Sequence, residues 1–384
     1  MKVTRHRPDF VLFVVVVLLT LIGLVSIYSA SSIVALVKYE QSTAYFFIRQ
    51  SVWVILGLFV MLFTMNIPFT RWQKLSKLFL LGSYLALILV LIPPFGKEVN
   101  GAYRWLKLGP LSFQPSELAI VGIILYLAYL LSKKGDRVQD PKASFWPTMV
   151  LTMLGFGLIM LEPDMDTAAT YGLCAFIIMF VAGVPGKYLR NTALLAIAAM
   201  IPLALYGYRG ERLDAYLDPW NNINEKGYQV IQSLYAIGTG GLTGRGLGHS
   251  IEKFSYLPEP HTDFIFAVFS EEWGYIGGMV LIVLYGILIW RGIHIATHVQ
   301  DRFAGLVAVG LTTMIGVAVF LNIGSVTKLL PTIGVPLPFI SYGGTSLLFK
   351  MFAMGILLNI SRYTVQERPE QPARAFDGKG GTSL

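Results

Sequence analysis

Between Lys253 and Gly274 the chain reads KFSYLPEPHTDFIFAVFSEEWG, and this stretch holds the residue types best suited to chemistry. Pro258 and Pro260 disfavour helix and keep the residues before them extended, after which His261-Thr262-Asp263 meets a strongly apolar segment. Asp263 is therefore expected at the mouth of a helix, where water meets lipid. A carboxylate held there can act as a general base toward a hydroxyl within hydrogen-bond reach. Thr262 or Asp263 can equally cap the helix N-terminus, and pattern alone leaves both readings open. Burial beside Phe264, Ile265 and Phe266 disfavours the charged carboxylate while the helix dipole favours it. His261 is a second candidate base, although a loop histidine more often makes a hydrogen bond or faces solvent. Glu259 joins them as a candidate substrate ligand. Glu271 and Glu272 are unusual inside an apolar span; Asp263 and Glu271 lie roughly 80° apart round a helix, Glu272 nearly opposite. At most one of the pair shares a cavity with Asp263, and pairing with basic side chains between helices is the plainer expectation for both.

The loop before this stretch, GTGGLTGRGLGHS from Gly238 to Ser250, is rich in glycine. Its backbone can approach phosphate closely, but the spacing fits neither the dinucleotide fingerprint nor the P-loop, which needs Lys where Leu247 stands. Arg245 and Lys253 flank the candidate site and can hold a diphosphate as charge-assisted donors. Arg104, in Asn100-Gly101-Ala102-Tyr103-Arg104-Trp105, sets a cation beside aromatics that also suit an interfacial belt. Arg49 and Glu117 are further polar groups at membrane depth, with Lys328 and Lys350. Glu162, Asp164 and Asp166 surround Pro163, which splits two apolar runs and predicts a tight external turn. From Gly334 to Ser346 the chain (GVPLPFISYGGTS, with Ser341 a candidate ligand) holds too many breakers for continuous helix, so a broken or re-entrant segment is expected. The five His residues and the single Cys have no recognised metal-ligand spacing. The scattered external carboxylates could still share a divalent cation, Mg or Mn, with a diphosphate.

What must position these groups is a membrane bundle. Hydrophobic residues make up 55% and charged residues 14% of 384 positions, with a mean hydropathy of +0.63, and apolar runs of about 20 residues recur between short polar breaks. The reading is an all-α integral membrane protein of about ten transmembrane helices, with spans at 10–36, 48–66, 75–95, 114–132, 146–161, 166–183, 188–208, 263–290, 303–329 and 340–361. The first run is longer than a signal peptide's core, so it reads as an uncleaved helix. The larger share of the Lys and Arg residues falls in segments that are cytoplasmic if the N-terminus is inside, which places both termini there. Cytoplasmic connections are short, whereas the segment from about 208 to 262 is a long extracellular loop, so function is expected on the outer face. Residues 1–365 form one membrane domain, and 366–384, rich in Pro, Gly and charge, read as a disordered cytoplasmic tail. The net charge of +8 is spread between apolar runs rather than on one polar face, which argues against nucleic acid. Cys174 lies in an apolar run and excludes an intramolecular disulfide. No internal repeat is evident, which weakens a transporter built from duplicated halves.

Taken in order, Arg49-Gln50, NGAYRWLKLG, FQPSE at 113–117, EPDMDTA at 162–168, the glycine loop, YLPEPHTDFIFAVFSEEWG and PLPFISYGGTSLL resemble the SEDS family (shape, elongation, division and sporulation), and its FtsW and SpoVE branch in particular. The resemblance implies ten transmembrane helices and peptidoglycan glycosyltransferase activity on lipid II. It also implies work beside a class B penicillin-binding protein and the divisome or sporulation proteins, among membrane lipids. By motif, Asp263 corresponds to the family's essential external aspartate and Glu117 to its cavity acid. Many relatives carry Lys three residues after that Glu, where this chain has Ile120, so any ion pair must come from Lys328 or Lys350. The mechanism implied is proton abstraction by Asp263 from the acceptor sugar's 4-hydroxyl, with Arg245, Lys253 or Arg104 stabilising the departing diphosphate. Two rivals remain: a lipid II flippase using the same ionisable groups, and a scaffold that recruits a transpeptidase and does no chemistry.

Overall fold

Helices surrounded by lipid are apolar on all sides rather than along one stripe, and the long apolar runs fold accordingly. The structure is a computed structural model that describes residues 6–365 except 94, 100, 109–110, 206–207, 222–225, 254–256 and 259. The tail expected from 366 onward and the candidate ligand Glu259 lie outside the described residues. Its helices are α1 (Phe10–Lys38), α2 (Tyr45–Asn66), α3 (Phe69–Val90), α4 (Pro115–Ser132), α5 (Phe145–Leu161), α6 (Met165–Val181), α7 (Gly186–Leu205), α8 (Tyr208–Leu217), α9 (Lys226–Thr239), α10 (Ile265–His298), α11 (Arg302–Val326) and α12 (Gly344–Ser361). Seven of them, α1 to α4 and α10 to α12, are long and apolar enough to cross a membrane. The apolar α5 and α6 have 17 residues each and α7 has 20. This is a multi-pass membrane bundle. α4 packs against α3, α6 and α11, and α12 packs most extensively against α2.

Helix ends differ from expectation for local reasons. α3 begins at Phe69 rather than 75, because Pro68 supplies an extended cap and Arg71, Lys74 and Lys77 are tolerated on its first turns. α10 runs on to His298, with no Gly or Pro between His294 and its C-terminus to stop it. The segment from 208 to 262, expected as loop, contains α8 and α9, amphipathic helices of 10 and 14 residues that are too short to read as spans.

Residues 96–113, expected as loop, instead form an antiparallel sheet in the order β1-β2-β3, of β1 (Gly96–Val99), β2 (Ala102–Leu108) and β3 (Leu111–Phe113). Alternation explains it: Ala102 and Leu106 are buried, and Leu106 packs on Ala86 and Val90 of α3.

α10 is interrupted at Gly274, which takes φ +68°. The break frees the carbonyls of Glu271 and Glu272 and the amides of Tyr275 and Ile276, and the glycine loop satisfies all four. Arg245 N and Gly246 N each donate 3.0 Å to the Glu271 and Glu272 carbonyls, while Tyr275 N and Ile276 N donate to Gly241 O and Leu242 O at 2.8 and 3.1 Å. A β carbon on Gly244 would stand 2.1 Å from Glu272 O, so the approach requires glycine. The loop's Arg245 and Gly246 amides thus serve the helix break rather than a phosphate.

Candidate active site

Asp263 stands just before α10, whose cap residue is Phe264 with no side-chain cap. Of the two readings left open by the spacing, capping of α10 is not the one adopted. The half-buried Asp263 lies in a loop held from three directions. Asn322 of α11 donates Nδ2 to Asp263 O and to Val335 O, both at 2.8 Å. Ser341 donates Oγ to Thr262 O at 2.6 Å and accepts from Leu337 N at 2.8 Å. Tyr342 N donates to His261 O at 2.9 Å. The non-helical segment before α12, anticipated as broken, is therefore the clamp on the loop that carries Asp263.

Where that segment passes the carboxylate it is glycine. A β carbon on Gly334 would lie 3.5 Å from Asp263 Oδ2 and 3.4 Å from Asp166 Oδ2, and Gly334 N donates to Asp166 Oδ2 at 3.0 Å. Asp166 and Asp263 thus border one residue. Asp166 was not singled out as a site residue; its signal was an acid two positions past Asp164 in a turn already marked as acidic.

The turn itself is built from the other acids. Asp164 caps α6 through Thr167 N at 3.2 Å and accepts from Gln114 Nε2 at 2.9 Å. Arg104 of β2 donates to Glu162 O at 3.1 Å and to Pro163 O. Glu162 is fully buried and its two carboxylate oxygens have no hydrogen-bond partner among the described residues. Burial first, and the neighbouring Asp164 charge second, push its carboxyl up to about 9, against the opposing pull of Arg104.

The remaining candidates separate by exposure. Arg49 is exposed, with its guanidinium 4.4 Å from the Tyr45 ring centre. Arg245 keeps 37% of its side chain exposed and pairs with Glu271 at 3.2 Å. Lys253 is buried and donates Nζ to Glu272 and to Ser29 of α1, each at 3.1 Å. Glu271 also receives Ile251 N at 2.9 Å and the Ser250 hydroxyl. Both glutamates of the SEEW sequence thus pair with basic side chains, as expected. His261 is buried against the rings of Phe46 and Tyr342, with centres 4.6 and 5.7 Å away. Ser341, its hydroxyl bonded on both sides, is a clamp.

The comparisons with known proteins can be set beside this geometry. The profile FTSW_RODA_SPOVE, described as a cell cycle protein, matches residues 9–366. The chain belongs to the FtsW/RodA/SpoVE family. It is 41% identical over 365 residues to stage V sporulation protein E of Bacillus subtilis, covering 95% of this chain and 100% of that one. It is also 41% identical over 357 residues to the probable peptidoglycan glycosyltransferase FtsW of Geobacter metallireducens, covering 93% and 95%. Among solved structures it is similar to a chain from "Structural coordination of polymerization and crosslinking by a peptidoglycan synthase complex". That match has a TM-score of 0.76 and 30% identity, over 92% of this chain and 98% of that one.

Glu117, in the first turn of α4, has buried Ile120 one turn on, and its cation comes from another helix: Lys350 of α12 donates Nζ to Glu117 at 3.1 Å. Ser346 donates to the same carboxylate oxygen at 2.6 Å and accepts from Lys350. Of the two lysines anticipated as substitutes, Lys350 is the one that pairs. For a divalent cation, no group of three His, Cys, Asp or Glu side chains among the described residues is arranged to hold one.

Proposed function

We propose that this chain is an inverting peptidoglycan glycosyltransferase that polymerises lipid II into β-1,4-linked strands at the outer face of the bacterial cytoplasmic membrane. The observation that carries the reading is a carboxylate, Asp263, at the head of a membrane helix, its loop fixed by Asn322, Ser341 and Tyr342. Relatives that bear the name peptidoglycan glycosyltransferase over nearly their whole length support it. In the step envisaged, Asp263 takes the proton of the acceptor sugar's 4-hydroxyl as that oxygen bonds to the donor's anomeric carbon. The bond to undecaprenyl diphosphate breaks with inversion, and the diphosphate leaves with the bonding pair. Asp166, across Gly334 from Asp263, sets a second carboxylate beside the proposed base. Arg49 and Arg245, which keep exposed guanidinium surface, are the bases assigned to the diphosphate, because Lys253 is already committed to Glu272. The similarity to a peptidoglycan synthase complex supports a class B penicillin-binding protein as partner, and the distribution of Lys and Arg supports placing both termini in the cytoplasm.

The test is polymerisation of labelled lipid II by purified, reconstituted protein. D263N is expected to lower the rate by about 10²–10⁴, the usual worth of a general base, with unchanged yield of folded protein. Polymer formed at the wild-type rate by D263N would remove Asp263 from this role. Translocation of lipid II by wild type without any polymer would favour a flippase instead.

A further inference from the structure

At the end of the bundle remote from Asp263, the N-terminal segment, the C-terminus of α10 and the C-terminus of α12 enclose a cavity of about 370 Å³. Backbone bonds join its three walls: His6 N to Arg362 O at 2.9 Å, Val365 N to His298 O at 3.0 Å, and Asp9 N to Ser361 Oγ at 2.9 Å. The lining carries Arg7, His6, His294 and His298, with Arg291 tied to Asp9. Asp9, the one acid among the described lining residues, is spent. Its Oδ1 accepts Leu12 N to cap α1, and its Oδ2 takes both Nε and Nη2 of Arg291. His294 and His298 sit one turn apart with ring centres 3.9 Å from each other and planes tilted by 35°, and His298 Nδ1 is hydrogen-bonded to His294 O.

The chemistry immediately next to this cavity is that of a lipid surface. Phe10, Trp290 and Ile293 are 75%, 60% and 53% exposed, and the Arg291 guanidinium lies 5.4 Å from the Trp290 ring centre. We infer that this cavity is a binding site for the phosphate headgroup of an anionic phospholipid, with the acyl chains running along the Phe10, Trp290 and Ile293 surface. An exposed arginine at a membrane helix end, here Arg7, attracts anionic headgroups at about 1 kcal/mol per Lys or Arg. The adjoining apolar wall favours a lipid over free phosphate, which has nothing to gain from it. With Asp263 on the outer face, the lipid belongs to the inner leaflet.

Native mass spectrometry of the delipidated full chain tests this without reference to polymerisation, so its outcome is independent of the proposed glycosyltransferase activity. The protein is titrated with dioleoyl phosphatidylglycerol, dioleoyl phosphatidylcholine or sodium phosphate. The expected result is retention of phosphatidylglycerol over phosphatidylcholine, reduced about fivefold by R7Q and further by H294Q/H298Q, with phosphatidylcholine retention unaltered. Arg7 is exposed, so R7Q carries the test even where the histidine pair fails to fold. Equal retention of the two lipids, or phosphatidylglycerol retention untouched by R7Q, overturns the inference. Displacement of the lipid by millimolar inorganic phosphate also overturns it and assigns the cavity to a soluble anion.

Discussion

Two acids meet across Gly334; the sequence marked both, Asp166 within the acidic turn at Pro163, but did not bring them together. Asp263 announced itself through a Pro-flanked entry into an apolar run, a local pattern. Asp166 reaches it only because α6 and the segment before α12 come together, 168 positions apart in sequence. Replacing Asp166 with Asn keeps an acceptor for Gly334 N and removes one negative charge. The polymerisation rate is expected to fall with little change in KM, because a charge beside the proposed base is removed while the backbone contact is kept. An unmoved rate would separate the two acids. Glu162 offers a second test. Its carboxyl, pushed from about 4.5 to about 9 by burial, binds its proton more tightly folded than unfolded. The stability this contributes is complete below the ordinary value and is lost as pH rises through the folded one. The thermal midpoint of wild type is therefore expected to decline from near neutrality to pH 9, and that of E162Q to decline less.

Among the elements, apolar period and length gave the bundle, and proline and glycine gave the broken segment before α12. The sheet at 96–113 escaped because its strands are short and its alternation needs α3 beneath to make sense of the buried Ala102 and Leu106. The role of the glycine loop was equally hidden, since nothing local indicates that its partners are the groups freed at Gly274. A side chain at Gly244, where φ is +81° and a β carbon meets Glu272 O, is expected to cost about 1–3 kcal/mol from backbone strain alone, more with the collision, measured as a fall in thermal midpoint for G244A. Lys253 was read as a diphosphate ligand because it flanks the site, but its buried pairing with Glu272 ties the loop to α10 and α1. K253M leaves Glu272 buried without its cation, a loss of about 3–5 kcal/mol. The double variant K253M/E272L is expected to regain most of that stability and, with it, polymerisation. A double variant that is stable yet inactive would return Lys253 to the substrate.

Across the whole molecule, the Glu117–Lys350 pair links α4 at the buried centre to α12, the helix that follows the clamp on Asp263. The acid was legible from its motif, but its partner was not, because Lys350 is 233 positions away and only the packing of α4 beside α12 brings the two within 3.1 Å. Intrahelical and interhelical pairings differ in what they hold. A lysine three residues along α4 would satisfy the charge and leave α12 free, whereas Lys350 satisfies it and fixes α12 together with Ser346. K350M is expected to destabilise the protein by about 3–5 kcal/mol, since Glu117 keeps a charge without its cation at membrane depth. Adding I120K to K350M supplies a cation on the same face of α4, one turn from Glu117. The double variant should then recover thermal stability ahead of polymerisation, because the charge is balanced while the tie to α12 stays broken. Equal recovery of both would mean that charge balance alone is what the pair provides, and no recovery of stability would mean that Ile120 does not face the acid.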